Sequence, residues 1–321
     1  MASLDFKQAA AWLLGRDNFL ILTHVRPDGD TVGCAAALCL ALREHGKTAY
    51  ILSDPNTSGL FTEYVQPLWA SPDYAPDTVV AVDIAARSMF HEGAKVWLDR
   101  VDLTVDHHPS QEFYAKDTCL DGARAACGEL IYDIVRQWGP VSKQVAEPLY
   151  MAVSTDCGCF AYGNTTADTH RVAAALIDCG IPLSRLNKIH FRTKSATRLK
   201  LEGAIISAME LHDGGETAIA PVTLEMLAAV GAVERDLEDI ANLVNQLEGV
   251  VTAVTLRELV PGKCKLSVRT DPARVNASNV CALLGGGGHA AAAGATVEGT
   301  VEAVKAAVLD AIRQVKAQDK E

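Results

Sequence analysis

At 321 residues, with 24 Gly, 12 Pro and 49% apolar residues, the chain is globular and long enough for two domains. Its 29 basic and 40 acidic residues leave a formal net charge of −11, which argues against a protein that coats long nucleic acid, because such binding neutralises many phosphates with Lys and Arg. The 21% of charged residues argues against disorder, and the longest apolar run, Cys34 to Leu42, is far short of the ~20 residues a membrane-spanning helix needs.

The amino terminus, MASLDFKQAAAWLLGRD, lacks the basic-then-apolar order of a secretory signal. Nine cysteines without a repeated spacing read as small buried hydrophobes of a reducing cytoplasm, not as a disulfide scaffold. Phe19–His24 (FLILTH) is a short apolar run that breaks into a polar Pro/Gly loop, and Thr31–His45 reads as a helix closed by Gly46. Strands are predicted at Ala49–Ser53, Thr78–Ile84 and Asp102–Val105, and helices at about Gly128–Trp138 and Val145–Thr155. Buried runs separated by helices predict an α/β fold whose amino-terminal domain is doubly wound about a mainly parallel sheet. Thr193–His212 has helical spacing and reads as a linker. Beyond it, strands at Thr217–Val222, Val250–Arg257 and Cys264–Arg269, with helices at Glu234–Leu247 and Val301–Ala317, predict a smaller carboxyl-terminal α/β domain. The expected division is 1–190, a linker helix over 191–214, and 215–321.

Three of the first-half strands end in residues that bind metals. FLILTH leads into VRPDGD, giving His24, Asp28 and Asp30; TVVAVD ends at Asp83; and DLTV runs into Asp106, His107 and His108. In an open parallel sheet the ligand crevice lies beyond the carboxyl ends of the strands, so these side chains are expected on one rim. Asp156, in MAVSTDCGCF, ends an apolar helix from which it could reach the same rim. Taken singly, an Asp after a strand is most often a turn former or helix cap, and Asp30 could serve only as the cap of the helix at Thr31. Jointly, converging carboxylates repel one another and require cations. Mixed Asp and His donors suit Mn²⁺, and Mg²⁺ less well, and paired ions activate water for attack on phosphorus.

HVRPDGD, VDIAA, DHHPS and STDCGCF, in that order, resemble the four motifs of the DHH phosphoesterase superfamily. The resemblance implies one ion held by His24, Asp28 and Asp83 and a second held by Asp30, Asp83, His107 and Asp156, with Asp83 shared. It implies that Asp106 orients the neighbouring histidines and that His108 contacts the scissile phosphate or assists the leaving group. Two Mn²⁺ per site are expected, with Mg²⁺ or Co²⁺ as alternatives. Thr31 and Cys34 stand where Ala and Ser are usual; neither is a ligand.

In the second half, CALLGGGGHAAAAGA carries Gly285, Gly286, Gly287, Gly288 and His289. Consecutive glycines let the backbone approach a ligand and turn its N–H groups towards an anion, and a helix after them would add its amino-terminal dipole. The plain alternative is a flexible surface turn. The segment resembles the substrate-binding signature of the DHH-associated carboxyl-terminal domain, and KLSVRT resembles the strand before it, so that Arg269 is expected to pair with a substrate phosphate. Among weaker features, Thr165 or Thr166 is expected to cap a helix.

The two-domain length and the lack of a basic Ser-Arg-Lys-Lys type motif set the chain apart from RecJ-type nucleases and family II pyrophosphatases, and liken it to the nanoRNase/pAp phosphatase group. That likeness implies a cytoplasmic enzyme acting on 3′-phosphoadenosine 5′-phosphate and short oligoribonucleotides, with no long nucleic acid and no membrane as partner. Cyclic-di-AMP or its linear product is the alternative substrate, and a nucleotide-binding module without turnover is the alternative of another class. An open sheet face is compatible with a homodimer.

Overall fold

The structure, a computed structural model, describes residues 2–237 and 240–318. It divides into two compact units, Met1–Thr193 and Lys194–Glu321. None of the described helices is long and apolar enough to cross a membrane.

In the first unit β1 (Ala2–Ser3), β2 (Phe19–Leu22), β3 (Ala49–Ile51), β4 (Thr78–Val82), β5 (Leu103–Asp106) and β6 (Asp117–Leu120) form one sheet in the order β1-β6-β5-β4-β2-β3. Every pairing is parallel. All residues of β2 and β4 are buried, because alternate side chains serve two cores. Phe19, Ile21, Val80 and Val82 enter a cluster shared with the helices Phe6–Leu14, Gly29–Glu44, Cys127–Val135 and Lys143–Asp156. Leu20, Leu22, Val79 and Ala81 meet Phe90, Ala94 and Val101 on the other face, which the 3₁₀ segments Arg87–Met89 and Glu92–Arg100 help to close. Each such fully buried Leu, Ile or Val stabilises the fold by roughly 1.5–3 kcal/mol.

Two helices meet almost backbone to backbone. A Cβ added at Gly33 would lie 2.4 Å from the carbonyl oxygen of Pro148, one at Gly29 would lie 2.2 Å from Thr155 Oγ1, and one at Gly128 would lie 2.8 Å from Ala152 Cβ. The glycines therefore fix how closely the helices Gly29–Glu44 and Cys127–Val135 approach Lys143–Asp156. That spacing decides where Asp28, Asp30 and Asp156, at the helix ends, fall.

The second unit holds β7 (Glu210–His212), β8 (Thr217–Val222), β9 (Thr252–Val260), β10 (Lys263–Thr270), β11 (Gly287–Gly288) and β12 (Ala292–Glu298) in the order β11-β12-β10-β9-β8-β7. Only β8 and β9 run parallel among its described pairings. Cys264, Leu266 and Val268 pack with Val304, Val308 and Ile312 of the helix Val301–Gln318. Ala218, Ala220 and Val222 pack with Leu201 and Ile205 of the helix Ala196–Ser207.

Three expectations change here. The stretch read as one helix over Thr193–His212 is helical only at Ala196–Ser207, and Glu210–His212 is a strand captured by the open edge of β8. Glu234–Leu247 is a 3₁₀ turn, Glu234–Leu237, and a short helix, Ile240–Val244; Glu238 and Asp239 lie outside the described residues. The glycine run is followed by β12 and not by a helix. The alanines after it carry high helix propensity, but pairing with the free edge of β10 overrides that weak preference.

Candidate metal centre

The rim beyond β2, β4 and β5 gathers the side chains that the sequence singles out. His24 follows β2 and is 7% exposed. Its Nδ1 lies 2.9 Å from the carbonyl oxygen of Val25, which assigns the ring proton to Nδ1 and leaves the Nε2 lone pair facing the crevice. Nε2 is 3.4 Å from Asp28 Oδ1 and 3.7 Å from Asp83 Oδ2. Burial works against a charged imidazole, but the Asp28 carboxylate outweighs it and raises the His24 pKa. The same contact outweighs burial at Asp28 and lowers its pKa.

The cap of the helix Gly29–Glu44 is Asp28, which accepts from the N–H groups of Asp30 and Thr31. Asp30, read as a candidate cap, instead turns inward and is 1% exposed. Its carboxylate accepts the N–H groups of Cys127 at 2.6 Å and Gly128 at 2.9 Å, at the start of the helix Cys127–Val135, and the thiol of Cys34 at 3.3 Å. A helix amino terminus favours this charge. Burial, with the charges of Asp156 and Asp28, nevertheless holds the Asp30 pKa well above the usual range.

Asp83 occupies the middle. Its backbone is left-handed, with φ of 58°, a conformation that non-glycine residues adopt rarely and mostly at functional positions. It is 2% exposed, and its Oδ1 is buried without a hydrogen-bond partner. Oδ2 faces His24, and Oδ1 lies 3.5 Å from His107 Nε2. Burial and then Asp30 push its pKa well up. A carboxylate that turns one oxygen to the His24 Nε2 lone pair and the other, orphaned one to the His107 Nε2 lone pair fits a cation.

Asp106 is fully engaged by the protein. Oδ1 accepts the N–H of His107 at 2.8 Å, the N–H of His108 at 3.3 Å and His108 Nδ1 at 2.8 Å, and Oδ2 accepts Gln111 Nε2 at 2.6 Å. The hydrogen bond from His108 Nδ1 to Asp106 raises the His108 pKa. His107 points Nδ1 at the carbonyl oxygen of Arg124, 3.2 Å away, and its Nε2 lies 3.8 Å from Asp30 and 4.0 Å from Asp156. Asp156, the last residue of its helix, has a pKa raised by burial.

The donor atoms fall into three groups, each within 4.8 Å: His24, Asp28 and Asp83; Asp30, His107 and Asp156; and Asp83, His107 and His108. Such a cluster of carboxylates and imidazoles fits divalent cations and is hard to reconcile with a site that stays uncompensated. Sequence reasoning missed three supports. Gln111 fixes Asp106. Arg124 lends its carbonyl to His107, while its guanidinium is pinned by Asp121, Glu129 and Asp133 at 3.1, 3.3 and 2.7 Å. Cys127 and Gly128 serve through their backbone. Nothing in their spacing marks them: Gln111 sits in a loop five residues after Asp106, Arg124 acts through a backbone carbonyl, and Cys127 and Gly128 act across a long chain separation. Thr166, as expected, caps the helix Ala167–Asp178.

In the second unit Arg269 lies on β10. The glycines next to it have a structural demand of their own: a Cβ at Gly286 would lie 2.2 Å from the carbonyl oxygen of Gly294, and one at Gly288 would lie 2.6 Å from Ala293 Cα. Gly287 borders open space and His289 is exposed.

Comparison with known proteins accords with this geometry. The DHH family, N-terminal domain, matches residues 18–153, and the DHHA1 domain matches residues 223–318. A bifunctional oligoribonuclease and PAP phosphatase NrnA of Thermus thermophilus is 34% identical over 92% of this chain and 89% of its own. The protein of that name from Bacillus subtilis is 24% identical over 88% of this chain and 90% of its own. An exopolyphosphatase-related protein from Bacteroides fragilis has the same fold, with a TM-score of 0.86 at 22% identity, covering 98% of both chains. With two domains matched in order and more than nine-tenths of its length shared with the Thermus relative, the chain belongs to the DHH family of phosphoesterases.

Proposed function

We propose that this chain hydrolyses 3′-phosphoadenosine 5′-phosphate and short oligoribonucleotides, with Mn²⁺ as its ion. The observation that carries the reading is the pair of donor groups, His24–Asp28–Asp83 and Asp30–His107–Asp156, joined through Asp83, which turns one oxygen towards each. Mixed imidazole and carboxylate donors favour Mn²⁺ over Mg²⁺. When bound, such ions lower the pKa of water towards neutrality and offset phosphate charge.

The chain's own groups do the rest. His24 and His107 each commit Nδ1 to a carbonyl and present Nε2 as a donor. Asp106, already saturated, orients His107 and His108. His108 is 37% exposed and protonated more readily than a free imidazole, so it holds a proton for a phosphate oxygen or for the leaving oxygen. Arg269, with the Gly285–Gly288 loop and His289, grips the nucleotide phosphate, a bidentate task suited to guanidinium. The substrate class draws support from the relatives named as oligoribonucleases and PAP phosphatases. The net charge of −11 disfavours long polyanions.

The test is product chromatography after incubating metal-stripped protein with Mn²⁺ and, separately, the bisphosphate, a ribodinucleotide, a long single strand, cyclic-di-AMP and pyrophosphate. Loss of the bisphosphate and the dinucleotide alone is the expected result. Cleavage of pyrophosphate or cyclic-di-AMP alone overturns the substrate assignment, and no turnover of any substrate overturns the enzymatic reading.

A further inference from the structure

We infer that the sheet of the second unit carries a further phosphate site, centred on Lys265 and Arg257, that takes a backbone phosphate of the substrate strand beyond the one held by Arg269. The inference rests on the nucleotide reading above.

The pleat sorts β10 into two faces. Cys264, Leu266 and Val268 enter the core, so Lys265, Ser267 and Arg269 share the opposite face. On β9, Val254 and Leu256 enter the same core, which puts Thr255 and Arg257 beside them; Lys265 is paired with Arg257 and Ser267 with Thr255. Like charges directly opposite on an antiparallel pair repel. Glu234 binds Arg257 through both of its terminal nitrogens. Among the described residues neither Lys265 nor Arg269 has a carboxylate partner, and Arg269 only donates to the carbonyl oxygen of Val268. A chain with a net charge of −11 thus places three cations on one strip, of which Arg257 is paired with Glu234.

Two polar atoms on that strip also lack partners. Thr255 is 3% exposed, yet its Oγ1 has no hydrogen bond, and neither has Arg257 Nε. Both residues line a cavity of about 170 Å³ together with Asn242, Lys265, Ser267 and Arg269. A water needs only ~10–15 Å³, so a phosphate fits. Its oxygens accept from a hydroxyl, a guanidinium and an ammonium at once, which supplies the partners that Thr255 and Arg257 lack and the negative charge that Lys265 lacks. From Lys265 to Arg269 the strip runs four residues, about 13 Å at ~3.3 Å per residue. That length suits successive phosphates of one strand better than a single free anion.

The test is equilibrium binding to the full chain in EDTA, where hydrolysis plays no part, so a failure of the hydrolytic reading leaves the binding result readable. The probes are inorganic phosphate and 5′-phosphorylated RNA of one, two and four nucleotides, titrated calorimetrically at several salt concentrations. Lys265→Gln is expected to weaken the tetranucleotide roughly tenfold and to lower the slope of log K against log salt by about 0.7. The mononucleotide should shift far less. Thr255→Val, which keeps side-chain shape, should weaken the tetranucleotide several-fold. Equal weakening of inorganic phosphate and all RNA lengths would assign the cavity to a free anion and overturn the strand reading. An unchanged tetranucleotide affinity and salt slope in a folded Lys265→Gln protein would mean that carboxylates of the chain satisfy the strip, and would overturn the site itself.

Discussion

The Asp30 carboxylate accepts the backbone N–H of Cys127 at 2.6 Å, tying the first turn of one helix to the first turn of another 97 residues away. Asp30 is therefore both a candidate metal donor and a brace between two helices. Asp30→Asn keeps the size but replaces one acceptor oxygen with an NH₂ that faces N–H donors. Urea unfolding of the metal-free protein should lose about 1–3 kcal/mol from that clash of donors. Hydrolysis should fall by a hundredfold or more. Full activity would remove Asp30 from the centre.

Asp83 behaves differently because its Oδ1 has no protein partner. Asp83→Asn removes a buried charge, and Asn tolerates the left-handed backbone better than most residues. The metal-free variant should melt a few degrees above the wild type, since uncompensated carboxylates repel. The rise in Tm that Mn²⁺ gives the wild type should vanish. Thermal scans with EDTA and with Mn²⁺ read both effects, and a metal-induced rise of wild-type size would place the ions elsewhere.

The close approach of the helices gives a double-mutant test. Gly29→Ala meets the side chain of Thr155, whereas Gly33→Ala meets the backbone oxygen of Pro148. Each should destabilise the protein by roughly 1–3 kcal/mol or more. Adding Thr155→Ala should recover part of the loss at Gly29, because the Thr155 Cβ 2.8 Å away remains, and none at Gly33. Equal rescue of both, measured by chemical denaturation, would mean that the helices move apart as a body.

His190 sits in an aromatic pocket, its Nε2 3.0 Å from Tyr64 Oη and its ring stacked on Phe61 at 5.8 Å between centroids. Burial lowers its pKa below the ordinary 6.5. Below that value the unfolded chain binds a proton that the folded chain resists. The contribution of His190 to stability is thus complete above pH 6.5 and is lost as pH falls through the lowered folded value. His190→Phe should flatten this acid limb in a plot of unfolding free energy against pH. An acid limb of unchanged steepness would show that other groups set it.

Much of the fold and of the rim was legible because each donor carries local punctuation. His24, Asp83 and Asp106–His108 close apolar runs, Asp28 and Asp30 open a helix, and Asp156 ends one. The sequence was silent where long-range contact decides the outcome. It offered no reason to prefer Asp28 over Asp30 as the cap, because the preference comes from Cys127 and Gly128, on a neighbouring helix 97 and 98 residues further along, claiming Asp30. Arg124 works through its carbonyl, which every residue possesses. β6 has four residues and little alternation. The alanine-rich stretch of β12 carries helix propensity that only the free edge of β10 could overrule.

Three of the candidate donors are held by the protein itself: His24 by Val25, His107 by Arg124 and Asp30 by two helix N–H groups, while Asp106, fixed by Gln111, steadies His108 beside them. These hydrogen bonds form without any ion, so the proposed site is a socket that belongs to the folded chain. A socket of that kind should be refillable: protein stripped with EDTA and given back Mn²⁺ is expected to recover its thermal stabilisation without passing through the unfolded state.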